Sequence, residues 1–315
     1  MTNKVVTITL NPALDLTGSL ESLNVGNVSL VSNSSLHAAG KGVNVAQVLR
    51  DLGAEVTVTG FLGRDNQEMF CQLFDSIGVT DKFVRVQGAT RINVKLVENS
   101  GSVSDINFPG VKVSTQEIEK FEKQLFELAD THEYFVLAGS LPQGISVQMC
   151  ASWIEKLNKL GKKVLFDSSR EALSAGIKAC PWLIKPNDDE LSYLVNEPLT
   201  SLSMIQQAAI KVSEGVDNTV VSLGSEGVMW YCNGEWTKAS PPTMKVVSTV
   251  GAGDTLVAGL CWGHMQSMDK NQILSFATAL SALAVEQIGV GIQDINTVTQ
   301  LQEKITVTSL NLTKR

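Results

Sequence analysis

The stretch Val246–Leu260 reads VVSTVGAGDTLVAGL, a largely apolar run interrupted by Gly251, Ala252, Gly253 and Asp254. Glycine-flanked amides opening a helix present N–H donors at the positive end of its macrodipole, where a phosphate can sit. A carboxylate beside such a site stays ionised in the same field and can take a proton from an attacking hydroxyl. Those are the parts of a phosphoryl-transfer site. The plainer reading makes Asp254 the cap of a buried helix, TLVAGLCWGHM, apolar all round. Taken alone, the four residues favour the cap. A second polar group is Lys185-Pro186-Asn187-x-x-Glu190, just past an apolar strand. An amide and a carboxylate there suit a hydrated magnesium ion, which takes few protein ligands; a helix start with a capping Asn187 suits them equally. The turn Gly224-Ser225-Glu226-Gly227 follows the strand TVVSL and reads alone as a hairpin turn. Two familiar nucleotide motifs fail on spacing. GAGDTL has no third glycine at position 256, and HAAGKGVNVA has Ser35 and Gly42 where a P-loop needs glycine and Ser/Thr.

The elements that must hold these groups alternate. Val45, Val48, Leu49 and Leu52 lie on one helical face closed by Gly53, and EVTVTGFLG follows as a strand. Phe70, Leu73, Phe74 and Ile77 repeat the helical spacing up to Gly78. Ser114-x-x-Glu117 predicts a capping box opening a helix with Ile118, Phe121, Leu125 and Leu128 inward, ahead of the strand YFVLAG. Val147, Cys150, Ile154 and Leu157 mark another helix, and KVLFD and PWLIKPN two more strands. This order predicts an α/β fold with a mostly parallel sheet covered on both faces and ligands at the carboxyl ends of its strands. Two stretches break the rhythm. Residues 11–37 lack helical periodicity, and RINVKLVENSGSVSDINF (91–108) alternates like a hairpin with one wet face.

Composition narrows the function classes. With 315 residues and 43% hydrophobic content the chain can bury a large core, and no linker or low-complexity tract divides it. A net charge of −7 argues against a nucleic-acid partner. The scattered cysteines 71, 150, 180, 232 and 261 contain no C-x-x-C pair and read as reduced thiols without zinc. MTNKVVTITLNPALD has too short an apolar stretch for a signal sequence, and no apolar run reaches the ~20 residues of a membrane span. The expectation is a cytoplasmic protein with no membrane partner. His37, His132 and His264 lack metal-ligand spacing and read as structural.

Together HAAGKGVNVA, GSLP (139–142), KPNxxE, SLGxxG and STVGAGD resemble, in order, the motifs of the phosphofructokinase B branch of the ribokinase-like carbohydrate kinases, from Val5 to Gly291. Within that branch TLNPALD, TRINVKL, FDSSREAL and PWLIKPN resemble members acting on fructose 1-phosphate. The resemblance implies a single domain, 1–315: a three-layer, Rossmann-like α/β/α body with a small antiparallel β lid formed by about 11–37 and 84–110. It implies Asp254 as the base, with Gly251, Ala252 and Gly253 as the anion hole. On the sugar side it implies Asp15, Gly40, Lys41, Asn44 and Ser140, with Arg91 on the substrate's existing phosphate. On the nucleotide side it implies Lys185, Ser222, Gly224, Gly227, Thr249 and Val250, with Asn187 and Glu190 arranging magnesium through water for MgATP. A homodimer through the lid is also implied. Many relatives carry an Asp, near a monovalent-cation site, where Ser248 stands, so a need for potassium is left open. Lys41 replaces the glycine found in minor 6-phosphofructokinases.

The implied reaction is ATP-dependent phosphorylation of fructose 1-phosphate at its 6-hydroxyl. Fructose 6-phosphate or tagatose 6-phosphate is the alternative acceptor, and a sugar-phosphate sensor is the alternative from another class.

Overall fold

A computed structural model describes residues 3–310. The chain runs β1 (Lys4–Thr9), β2 (Ala13–Leu20), β3 (Val31–Ala39), α1 (Lys41–Asp51), β4 (Glu55–Gly63), α2 (Glu68–Ile77), β5 (Thr80–Asp81), β6 (Val84–Val86), β7 (Ile92–Glu98) and β8 (Val103–Ile106). It continues α3 (Thr115–Ala129), β9 (Tyr134–Ala138), α4 (Val147–Lys159), β10 (Lys163–Asp167), α5 (Arg170–Ile177), β11 (Leu183–Ile184), α6 (Asp188–Val195) and α7 (Leu202–Val212). The last part is β12 (Asn218–Ser222), β13 (Val228–Cys232), β14 (Glu235–Ser240), α8 (Ala252–Met265), α9 (Lys270–Ala284), α10 (Ile295–Gln302) and β15 (Thr306–Leu310).

The main sheet has the order β15-β14-β13-β12-β11-β10-β9-β1-β4-β5, with β6 also on β4. From β12 to β5 the neighbours are parallel, and β12 to β15 form an antiparallel flank. Alternate residues of one strand enter different cores, as a sheet covered on both faces requires. Val5, Tyr134 and Val136 pack with α1, α8 and α9, whereas Val6, Ile8, Phe135 and Leu137 pack with α3 and α4. Helix caps expected from sequence are in place: Ser114 and Glu117 close a capping box, and Gly78 ends α2 in a left-handed conformation.

The residues that broke the rhythm form a separate four-stranded sheet, β3-β2-β7-β8. Its outer pairs are antiparallel, but β2 and β7 run parallel, so the sheet is mixed rather than antiparallel throughout. The parallel pair joins two hairpins distant in sequence, which strand periodicity cannot register. The expected lid segment 84–110 is also divided, because Val84–Val86 extends the main sheet along β4.

Candidate active site

The carboxyl ends of β1, β9 and β10 open into a cleft of about 360 Å³ under the small sheet. Asp15, Gly40, Lys41, Asn44, Arg91 and Ser140, the six residues expected on the sugar side, all line it. Asp15 comes from β2 and Arg91 immediately precedes β7, so the small sheet and its approach supply one wall. Gly40, Lys41 and Asn44 come from the opening of α1. Gly40 adopts φ 141°, and a Cβ there would stand 2.8 Å from Thr9 Cγ2, so glycine is what lets α1 begin against the end of β1.

Four hydrogen bonds fix the Arg91 guanidinium: to the carbonyls of Asn11 (2.9 Å), Phe108 (3.2 Å) and Pro12 (3.3 Å), and to Ser140 Oγ (3.3 Å). Neutral acceptors orient its charge without cancelling it. Asp15 accepts from Asn93 Nδ2 at 3.3 Å and faces Lys95 Nζ at 3.7 Å.

Beside the cleft, Gly251 adopts φ 81° and precedes α8, whose first turn has no side-chain cap. Asp254 is the third residue of that helix and not its cap, contrary to the plainer reading of GAGD. Its carboxylate instead accepts from Asn44 Nδ2 at 2.7 Å. Asp254 is 7% exposed, and burial first, then the neighbouring Asp167, push its carboxyl up to about 6. That value lets a carboxylate be ionised at neutral pH and still hold a proton with useful affinity.

Asp167, the last residue of β10, was missed by sequence reasoning. Its two oxygens face Lys41 Nζ at 3.0 Å and Lys185 Nζ at 3.5 Å. Burial opposes its ionisation, but Lys185 and Lys41 outweigh that and hold it below the usual carboxylate range. Burial likewise opposes charge on Lys41, and Asp167 and Asp254 reverse the effect. The available signal was an ionisable residue ending the apolar strand KVLFD. Asn11, which donates to Ser140 Oγ at 3.1 Å, and Ser168 and Ser169 on the cleft wall were missed as well.

On the far side, Asn187 and Glu190 close a capping box at α6: Glu190 N donates to Asn187 Oδ1 at 2.7 Å, and Asn187 N to Glu190 Oε2 at 3.0 Å. The capping alternative is therefore realised, and it still leaves Glu190 Oε1 outside the box. Burial raises the Glu190 carboxyl. Ser222 lies next to Asn187 across a parallel bridge, its N–H donating to the Pro186 carbonyl at 3.1 Å. Gly224 and Gly227 bound a single 3-10 turn between β12 and β13, and Thr249 and Val250 precede Gly251. These four do not line the cleft. Among the described residues no cluster of three or more His, Cys, Asp or Glu has a metal-holding arrangement, and no helix is long and apolar enough to cross a membrane. His264 is wedged edge-on between Trp182 and Trp230, with burial pushing its imidazole down to about 4.

The model of the pfkB family of carbohydrate kinases matches residues 3–297. The 1-phosphofructokinase of Vibrio cholerae is 66% identical over 311 residues, covering 98% of each chain. That of Escherichia coli is 47% identical over 296 residues, covering 93% of this chain and 95% of the other. Among solved structures, phosphofructokinase-2 from Escherichia coli in complex with potassium superposes with a TM-score of 0.88 at 28% identity, covering 96% of this chain and 99% of that one.

Proposed function

The chain belongs to the pfkB family of carbohydrate kinases, and we propose that it is the enzyme that transfers the γ-phosphoryl group of ATP to the 6-hydroxyl of fructose 1-phosphate. The products are fructose 1,6-bisphosphate and ADP. The observation that carries the reading is the convergence of six sugar-side residues on one cleft, tied to Asp254 through the Asn44 hydrogen bond.

Asp15, Asn44 and Ser140 bind and orient the sugar, and Arg91 receives its 1-phosphate through its charge and the one N–H left over by its bonds to Asn11, Pro12, Phe108 and Ser140, while Lys41 lines the same cleft from α1. The 6-hydroxyl then lies at Asp254, which takes its proton as the new O–P bond forms. The bond from the γ-phosphorus to the ADP oxygen breaks, and that oxygen leaves with the electron pair. The uncapped first turn of α8, at Gly251, Ala252 and Gly253, stabilises the phosphoryl oxygens, and Lys185 adds charge from below. Such a transition state needs alignment and charge neutralisation more than covalent help.

ATP binds beside Ser222, Gly224, Gly227, Thr249 and Val250. The donor set of Asn187 and Glu190, one amide and one carboxylate with an oxygen free, fits a magnesium ion held through water. The ion would supply charge neutralisation at the nucleotide phosphates. The small sheet is the lid over the sugar. The half-exposed Val103 and Ile106 of β8, with Phe108 just beyond it, support a homodimer through that sheet, and a sugar phosphate and ATP as substrates are consistent with a cytoplasmic enzyme.

The test is coupled ADP release with MgATP and fructose 1-phosphate, fructose 6-phosphate, tagatose 6-phosphate and unphosphorylated sugars, compared by kcat/KM. A strong preference for fructose 1-phosphate is expected. Preference for a 6-phosphate moves the acceptor within the family, and binding without turnover refutes the kinase reading.

A further inference from the structure

The buried carboxylate that ends β10 touches neither the cleft nor the proposed path of the proton. Asp167 is 2% exposed. Its Oδ2 accepts from Lys41 Nζ at 3.0 Å, and Lys185 Nζ stands 3.5 Å from Oδ1. The two ammonium groups arrive from unrelated places. Lys41 opens α1 on the cleft wall with its side chain 38% exposed, whereas Lys185 follows β11 and is 6% exposed. Lys185 also lies against the turn that opens α8, since a Cβ built on Gly253 would be 3.6 Å from its Nζ.

We propose that Asp167 is a positioning residue: it holds Lys41 and Lys185 as one fixed pair of cations directed at the phosphoryl group in transfer, and it places a like charge beside Asp254. This rests on the phosphoryl-transfer reading above. Without a counter-charge the two ammonium groups would repel each other. Lys41, already part exposed, would be free to swing away, and Lys185, buried, would be left without a counter-charge to fix its place. One carboxylate between two lysines leaves a net positive charge for the incoming phosphate. The Lys185 contact is longer than a formed hydrogen bond, and Oδ1 has no other hydrogen-bond partner. The Lys185 ammonium therefore keeps N–H groups for a phosphoryl oxygen.

The charged and polar groups facing Asp254 are Asp167 from β10, Lys41 and Asn44 from α1, and Lys185 after β11. Removing the Asp167 charge while the lysines remain shifts the balance toward ionised Asp254. The acid limb thus reports the charge that Asp167 places beside Asp254, and kcat reports its hold on the two lysines.

The experiment compares the wild-type chain with Asp167→Asn in coupled ADP release across pH, alongside thermal unfolding of both. Wild-type turnover of fructose 1-phosphate with MgATP is measured first, and its absence would remove the kinase reading itself. Given turnover, Asp167→Asn is expected to lower kcat by ~10²-fold, the scale of losing one preorganised electrostatic group. The acid limb of kcat/KM should move to lower pH. A kcat within threefold of wild type overturns the proposal, and so does a loss of kcat with the acid limb unmoved. If Asp167→Asn does not fold, Asp167→Glu carries the test, because it keeps the charge and displaces it by one methylene. A folded Asp167→Glu protein with at least a fivefold lower kcat supports positioning, and wild-type kcat overturns it.

Discussion

Replacing Asp254 with Asn should abolish most turnover and, at the same time, stabilise the protein. The buried carboxyl rises from 3.8 to about 6, by burial first and Asp167 second, against the opposing pull of Lys41, the Asn44 hydrogen bond and Lys185. At about 1.4 kcal/mol for each tenfold change in proton affinity, the ionised form costs the folded state about 3 kcal/mol. The folded state binds this proton more tightly than the unfolded chain does. The penalty is therefore fully present above pH 6, shrinks as pH falls toward 3.8, and is absent below it. Asn removes the charge and keeps an oxygen to accept from Asn44. For a chain of 315 residues, 3 kcal/mol corresponds to an increase in Tm on the order of 5 °C. The gain should be present at pH 8 and about half as large in free energy at pH 5, by the same proton linkage. Loss of the proposed base should lower kcat by ~10²–10⁴-fold, with fructose 1-phosphate binding largely kept. Coupled ADP release, calorimetric titration with fructose 1-phosphate and scanning calorimetry at the two pH values read all three effects. A kcat within tenfold of wild type would remove Asp254 as the base. An unchanged or lower Tm at pH 8 would refute the reasoning that burial holds this carboxylate at a cost.

The wild-type acid limb of kcat/KM should fall near pH 6, where Asp254 takes up its proton; a limb set well below pH 5 would point to another group. Arg91→Ala should raise KM for fructose 1-phosphate by ~10–100-fold, the scale of a lost charged hydrogen bond, and leave KM for ATP within about threefold. Equal effects on both substrates would restrict Arg91 to joining β7 to the Asn11–Pro12 turn. Asn187→Ala should cost about 1 kcal/mol through the lost capping box and also raise the magnesium concentration needed for half-maximal rate. A loss of stability with unchanged magnesium dependence would leave it a cap alone. Ser114→Ala, in the other capping box, should cost about 1 kcal/mol in urea unfolding with kcat unchanged.

The alternation of helix and strand was legible because the periods of 3.6 and 2 are local properties of the chain. So were the caps at Ser114 and Gly78, whose chemistry involves residues within one turn. The motif residues were legible too, since GAGD, KPNxxE and HAAGKGVNVA carry their own spacing. Their roles were harder to assign. Asp254 could not be distinguished from a helix cap until Asn44, 210 positions away in sequence, was seen to donate to it. Asp167 gave only a faint signal, one carboxylate at the end of a strand, because its meaning lies in Lys41 and Lys185, which reach it from two other elements. The parallel pairing of β2 with β7 was hidden for the same reason, as backbone hydrogen bonds between distant segments leave no local period. Local patterning thus determined the elements and the residues able to do chemistry. Only the packed chain decided which charges are buried together, and through that how strongly each one holds its proton.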